Sequence, residues 1–420
     1  MDKRYKYQNR IAMIVCLCIL GFMLAATGIR LFTRNILMWR FNVNNGFTKA
    51  VFFDNVTGTG ELKEPNEWIF HDDFVVTAMK YDKLIGWEEP LSPDDWTRII
   101  KMNNGYLAYI QPKLEDADIE DLADHVKYFA DEMAKRDIPF YYINMGSKVC
   151  PEDKQISDYE TNFEYTNENG DALIKACRER GVNVVDMREK LLKSGRDWYE
   201  SFYITDHHWT NRTGLWAAGY IANMLNEEAG FSFDLSKFEE DSYNITRYED
   251  CMMGGLGRTV TLVNAKAEPF DVIIPNFDTD ITYDIVSEDR SYEGPYEKAI
   301  FDEDKLNAVL NFKGNDYLNL PDAYNTTHIN NYMHSIMTNN LECSNEGKRI
   351  LMLEDSYSWY LTSYLALDTE CIDIIYPIDY KDSLVAYVDE TKPDAVIFSC
   401  CEKAINPIDY ENGMGYFYLR

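Results

Sequence analysis

Two short runs in this chain carry the residue types of nucleophilic catalysis. In Asp206-His207-His208-Trp209-Thr210 a carboxylate stands two residues before an imidazole. At that spacing the carboxylate can hold the ring in one tautomer and support its cationic form, the orienting part of a nucleophile–base–acid triad. Far downstream, Arg349-Ile350-Leu351-Met352-Leu353 reads as a buried strand. It breaks at Glu354-Asp355-Ser356-Tyr357-Ser358 and runs into a helical pattern. A serine at such a turn is exposed, and helix N-terminal amides stand beside it to hold an oxyanion. The amide of Tyr357 is the expected donor.

Each residue also has a plainer use. Ser356 could serve only as a helix N-cap, and Asp355 only as a brace for the turn. Adjacent histidines point in different directions, so one of His207 and His208 serves and the other lines the site or faces solvent. Trp209 packs beneath the site or contacts substrate. Arg258, in the run Gly254-Gly255-Leu256-Gly257-Arg258, grips an anionic or sugar substrate or steadies its loop. A transition metal would compete for Asp206, His207 and His208. There is no HExxH and no second tight cluster, and His328 and His334 would have to join in space, so no metal is expected. His71 and His125 read as structural, His125 on an apolar helical face.

The elements that must hold these residues follow from hydrophobic periodicity. Residues 119–136 and 168–180 read as helices, 139–145 and 182–186 as strands, and 210–229 as a helix with a stripe of Leu215, Trp216, Ala218, Tyr220, Ile221, Met224 and Leu225. After a stretch rich in Asp, Asn and Thr (231–346), the rhythm returns as strand 349–353, helix 357–367, strand 371–376, helix 381–390 and strand 394–399. Strands alternating with helices predict a parallel sheet of α/β type. The predicted organisation is a tail 1–10, an apolar segment 11–29, a mixed lead-in 31–118, a first α/β part 119–230, a partly β insertion 231–346 and a second α/β part 347–420.

Composition bounds the function. The 420 residues carry 41 Lys and Arg against 71 Asp and Glu, a net charge of −30. Seven of those basic residues and one acidic residue fall in 1–40, so the remaining 380 hold 34 basic and 70 acidic side chains. Such a surface excludes a broad nucleic-acid interface. Ile11 to Ile29 is an uncharged apolar run of 19 residues, enough for a bilayer core of about 30 Å. Lys3, Arg4, Lys6 and Arg10 precede it, which predicts a single-pass anchor with a cytoplasmic N-terminus and a domain outside the membrane. A cleaved signal peptide is the alternative. Nine cysteines, Cys16 and Cys18 within that run, form no CxxC pair and no compact disulfide framework. Vicinal Cys400-Cys401 reads as buried packing.

With both runs in place, the chain resembles the DHHW protein family and the related SGNH-hydrolase-like alginate O-acetylation (AlgJ/AlgX-like) proteins. The resemblance rests on Asp206, His208, Trp209 and Thr210, on Ser356 in an Asp-Ser-Tyr context, and on the Lys148/Lys154 region and the Val184-Val185-Asp186 strand. It spans roughly residues 65–400. It implies Ser356 as nucleophile, His208 as base and Asp206 as the orienting acid. In an ordinary SGNH hydrolase the serine block comes first. The reversed order here implies a circularly permuted, flavodoxin-like three-layer sheet. Glu354 stands where that family has glycine. The glycine and asparagine that complete its oxyanion hole have no evident counterpart, the Gly254–Arg258 loop and the turn near Glu402 being the candidates.

The resemblance implies O-acetylation of a cell-envelope or secreted polysaccharide through an acyl-serine intermediate. No cofactor is implied. An MBOAT-type membrane acyltransferase is the implied acyl donor. A carbohydrate or lipid esterase with the same triad, or a catalytically degenerate glycan-binding assembly protein, is the alternative.

Overall fold

The computed structural model describes residues 98–157, 161, 163–258, 265–310, 323–329, 334–409 and 415–420. The expected tail, the apolar run 11–29 and the lead-in up to residue 97 lie outside them. No helix among the described residues is long and apolar enough to cross a membrane.

In chain order the elements are β1 (Arg98–Lys101), β2 (Leu107–Ile110), α1 (Asp116–Ala134), β3 (Phe140–Asn144), α2 (Thr166–Glu179), β4 (Val184–Asp186), α3 (Met187–Ser194) and α4 (Asn211–Glu228). There follow β5 (Tyr243–Met252), β6 (Glu268–Pro275), β7 (Ile281–Ile285), β8 (Arg290–Gly294), α5 (Tyr296–Ala299), α6 (Glu303–Leu310), α7 (Ala323–Thr327) and β9 (His334–Asn339). The last are β10 (Asn345–Glu354), α8 (Trp359–Leu365), β11 (Thr369–Ile375), α9 (Leu384–Thr391) and β12 (Ala395–Cys400).

Eight strands form one sheet in the order β4-β3-β12-β10-β11-β9-β7-β8. The run from β4 to β11 is parallel. Counted from the serine-bearing strand β10, it reads 2-1-3-4-5, the flavodoxin-like order. The sheet as a whole is mixed, which corrects the expectation of a parallel one. Strands β9, β7 and β8, all from the 231–346 stretch, continue the sheet antiparallel beyond β11. Their cause is visible in β7, where Ile281, Tyr283 and Ile285 point inward and alternate with half-buried residues. Such a strand is stable only against a sheet, and β9 carries it onto the edge β11 would otherwise leave open.

The central strands are apolar on both faces because helices cover both. Tyr141, Ile143, Ile350, Met352, Ala395 and Ile397 face α3, α4 and α8. Phe140, Tyr142, Leu351, Leu353, Val396 and Phe398 face α1, α2 and α9. The period-2 split across the two cores is what near-continuous apolar runs encode. Among the described residues all seven cysteines are free thiols, and Cys400 and Cys401 are buried.

Glu354 ends β10 inside this core. It accepts a hydrogen bond from Thr362 Oγ1 at 2.5 Å, while its other oxygen has no partner. Burial pushes its carboxyl up to about 8. An acid raised on folding holds its proton in the native state while the unfolded chain has lost it. Its contribution is therefore most favourable below the unfolded value near 4.5, and stability is lost as pH rises from there through about 8. Glu354→Gln should remove that loss. Its melting temperature should gain on wild type steadily between pH 5 and 8, and equal differences at both ends would refute the assignment.

Candidate active site

The acid–base run sits on a tight loop at the carboxyl side of the parallel strands. Phe202 and Trp209 form an antiparallel bridge, and the Tyr203 amide donates to the His208 carbonyl at 3.1 Å. The tip, Thr205-Asp206-His207, is gripped from three sides. Glu268 of β6 accepts from the amides of Ile204 and Thr205, each at 2.6 Å. The buried ammonium of Lys148 donates to the carbonyls of Leu107 and Asp206, both at 2.5 Å, and of Ile204 at 3.3 Å. Burial pushes this lysine down to about 8, against the pull of Glu268 and Asp206.

The third grip is the glycine-rich run. Gly254 donates its amide to Thr205 Oγ1 at 2.8 Å, Gly255 to Asp206 Oδ2 at 2.9 Å, and Gly257 to the Thr205 carbonyl at 2.7 Å. A Cβ on Gly254 would lie 2.2 Å from the Cβ of Asp206, and one on Gly257 would lie 2.7 Å from the Cβ of Thr205. The glycines are there for close approach to the acid, so this loop is not the oxyanion hole the sequence suggested. Gly254→Ala should push Asp206 off line and lower turnover about 100-fold, since a displacement near 1 Å at a reacting group costs that much. Steady-state kinetics on an acyl ester measure it, and a loss below threefold would show that the contact is slack.

From that loop a chain of hydrogen bonds runs to the serine. Asp206 Oδ1 accepts from His208 Nδ1 at 2.5 Å and from the His208 amide at 3.0 Å. His208 Nε2 meets Ser356 Oγ at 2.7 Å. Asp206 and His208 are fully buried, and Ser356 is partly open. Burial alone would raise the Asp206 carboxyl, but the adjoining His208 and His207 outweigh it and hold the group well below the usual carboxylate range. The His208 ring lies between Tyr324, stacked at 4.0 Å and 17°, and His207 at 3.9 Å.

The two runs are stitched together. Trp209 Nε1 donates to the Tyr357 carbonyl at 2.9 Å, and the Tyr357 hydroxyl donates to the His207 carbonyl. Tyr324 of α7 donates its hydroxyl to the Ser356 carbonyl at 2.8 Å. Ser356 to Ser358 form a 3₁₀ turn ahead of α8. Asp355 braces this turn, one oxygen accepting from the Tyr357 amide at 3.0 Å and the other from the Cys401 amide at 2.8 Å.

That brace corrects the expected oxyanion donor. The Tyr357 amide is spent on Asp355, whereas the Ser356 amide makes no hydrogen bond among the described residues. The turn near Glu402 offers no donor either, since the Cys401 amide is taken by Asp355 and the Glu402 amide by the Gly146 carbonyl at 3.4 Å, and Glu402 itself turns inward. It is buried against Arg188 Nη1 at 2.9 Å, and burial raises its carboxyl to about 7 in spite of that guanidinium. Trp209 is buried under the turn and bonded to it, so it positions and does not touch substrate. Arg258 is exposed on the glycine loop. His207 is half-buried on the wall of a narrow cleft that Tyr357 also lines. Burial, then the neighbouring His208, holds its pKa well below the ordinary imidazole value.

Asp206, His207 and His208 present ligand atoms within 4.8 Å of one another. An ion there would compete with the hydrogen bonds that already engage Asp206 Oδ1 and both nitrogens of His208. His328 bonds the Ile329 carbonyl and His334 the Tyr387 hydroxyl, and neither joins this group. Tyr324 and Glu268 escaped the sequence reading. Neither lies in a motif, and both come from the 231–346 stretch, whose short alternating pieces do not say what they pack against.

Residues 107–301 match the family model described as SGNH hydrolase-like domain, acetyltransferase AlgX. No curated protein matches the sequence at a significant level. Among solved structures, Bacillus cereus PatB1 with a sulfonyl adduct superposes with a TM-score of 0.59 at 15% identity, over 77% of this chain and 99% of that one. A DHHW family protein from Eubacterium siraeum superposes with a TM-score of 0.53 at 14% identity, over 77% and 95%. At such identities the likeness bears on the fold alone. The chain thus shares the fold of these two structures, and its residues 107–301, with Asp206 and His208 but not Ser356, resemble an SGNH hydrolase-like domain.

Proposed function

We propose that this SGNH-like domain is a serine O-acetyltransferase that acts on a cell-envelope or secreted polysaccharide. The observation that carries the reading is the unbroken line Asp206–His208–Ser356, with 2.5 Å and 2.7 Å between successive polar atoms.

Ser356 Oγ attacks the acetyl carbonyl of a donor and gives its proton to His208 Nε2. The tetrahedral oxyanion is held by the Ser356 amide. Collapse breaks the bond to the leaving group, which departs with the proton from His208 and leaves acetyl-Ser356. A sugar hydroxyl then gives its proton to His208 and attacks the same carbonyl. Ser356 leaves and recovers that proton. Asp206 stays ionised throughout and balances the imidazolium. Residues 11–29 would anchor the domain to the membrane, and an MBOAT-type membrane acyltransferase would supply the acetyl group.

The test is to incubate the protein with p-nitrophenyl acetate and map the adduct by peptide mass. One acetyl group on the Ser356 peptide is expected, moving to an oligosaccharide when one is added. Release to water alone, with oligosaccharides present, would favour the esterase. A folded protein that forms no adduct would overturn the reading.

A further inference from the structure

We infer that the flank of α4, away from the catalytic residues, carries a second binding site: a groove that takes uncharged hexose units of a polysaccharide. Its ligand class rests on the polysaccharide reading; its location does not.

The cleft lined by His207 and Tyr357 has about 20 Å³ of free space, room for about one water. A sugar chain that reaches Ser356 needs another surface to rest on. An open groove of about 570 Å³ lies along the partly exposed side of α4, well within the size of ligand sites. That helix starts at Thr210, the last residue of the histidine run, whose hydroxyl accepts from the Thr213 amide at 3.3 Å. Trp216, on the groove lining, is about 9 Å further along the helix axis at 1.5 Å per residue.

The groove owes its floor to a missing side chain. A Cβ on Gly219 would lie 2.9 Å from the Cβ of Phe238, so the turn Leu235–Phe238 packs directly onto the helix. Trp216 and Tyr220 belong to the apolar stripe read from the sequence, yet both are only half-buried. One turn apart on the lining, their ring centroids are 6.5 Å apart and their planes 38° from each other. Cations brace both rings, Arg196 at 6.0 Å from the centroid of Trp216 and Lys190 Nζ at 5.3 Å from that of Tyr220. Aromatic faces are negative and C–H edges positive, so a fixed pair of rings is a platform for the C–H face of a pyranose.

The rim supplies acceptors. Glu239, Glu240 and Asp241 follow one another on the lining. Glu240 is held by Arg212 at 2.6 Å and by Arg196 at 3.4 Å. Glu239 and Asp241 are exposed and enter no ion pair among the described residues. A carboxylate only accepts and a sugar hydroxyl donates, so the two form charge-assisted bonds. Three carboxylates against the single guanidinium of Arg196 repel an anionic polymer. An apolar partner would strand the carboxylates, and a basic peptide would compete with Arg196 for them. A polyol with an apolar face uses both halves of the groove. A chain held there would also raise the local concentration of acceptor hydroxyls at Ser356.

Calorimetry on the full chain, with no acyl donor present, would titrate cellotetraose, maltotetraose, chitotetraose, tetragalacturonate and tetralysine. At least one neutral tetrasaccharide should bind with a Kd of about 1 mM or tighter, and tetragalacturonate about tenfold more weakly. Trp216→Ala should weaken the neutral sugar about tenfold and Trp216→Tyr should restore most of it. Glu239→Gln with Asp241→Asn should weaken it to a similar degree. Near-ultraviolet circular dichroism checks that each variant is folded. The same sugar should shift tryptophan emission in wild type and not in Trp216→Tyr. No binding of any neutral tetrasaccharide, tightest binding by tetragalacturonate or tetralysine, or an affinity untouched by Trp216→Ala would overturn the inference. The acyl-transfer reading fails separately, in wild type that takes up no acetyl group on Ser356.

Discussion

Ser356→Ala and His208→Ala should each lower turnover of an acetyl ester by about 10⁵-fold, and the double variant should lose no more than either alone. The reason is the 2.7 Å contact between His208 Nε2 and Ser356 Oγ. The hydroxyl is a poor nucleophile unless that nitrogen takes its proton, and the nitrogen has no use without the hydroxyl. Removing either removes one function, so the losses overlap. What remains belongs to binding and to the oxyanion donor. Because His208 is enclosed by Tyr324 and His207, truncating it leaves a cavity. His208→Gln, closer in volume, guards against reading a folding defect as a chemical one. The measurement is kcat with burst analysis, beside near-ultraviolet circular dichroism. A His208→Gln protein that is folded and within tenfold of wild type would remove His208 from the mechanism.

Asp206→Asn should cost about 10⁴-fold in turnover while leaving the fold intact. Both carboxylate oxygens are acceptors here. One takes the His208 ring and amide, the other the Gly255 amide. An asparagine has one such oxygen. If that oxygen stays with Gly255, the NH₂ group faces His208 Nδ1. The ring then carries its proton on Nε2, pointing at Ser356, and cannot serve as base. If the amide flips, it sets two N–H groups against each other at Gly255. The first outcome removes the working tautomer, and the second keeps it only against that repulsion and without the charge that balances the imidazolium. Imidazole proton resonances in wild type and variant would report which nitrogen is protonated. An Asp206→Asn enzyme within tenfold of wild type would mean that the backbone alone fixes His208.

Much of this was legible from residues. The parallel part of the sheet could be read because strands buried on both faces write themselves as apolar runs, such as Ile350 to Leu353. The helices around it carry plain stripes, and their ends lie within a few residues of the expected ones. The pairing of Asp206, His208 and Ser356 was legible because short-range spacing and a strand-to-helix break both leave local marks. What was not legible is what depends on non-local contact. Nothing about the Tyr357 amide in the sequence says that Asp355 will claim it. The glycines at 254, 255 and 257 were visible as a cluster. Their purpose appears only when Asp206 is seen against them. Tyr324 lies in a stretch without period and reaches His208 by tertiary packing alone. The antiparallel extension of the sheet was missed for the same reason, since pairing partners are not written in the strand itself.

The order of strands also sets a timetable. β12 is the last strand of the sheet to be made, yet it lies between β3 and β10, at the centre of the parallel run. Until it arrives, β3 has no partner on its inner side, and nothing in the sheet joins the β3–β4 pair, which leads to the histidine loop, to β10, which leads to the serine turn. The acid and base are thus synthesised long before they can be assembled. The ribosome must pass residue 400 before the sheet can close, and closure pairs segments far apart in the chain, a slow kind of step. A chain interrupted just before β12 would lose the middle of its sheet instead of a margin. No partly made protein could carry a working nucleophile.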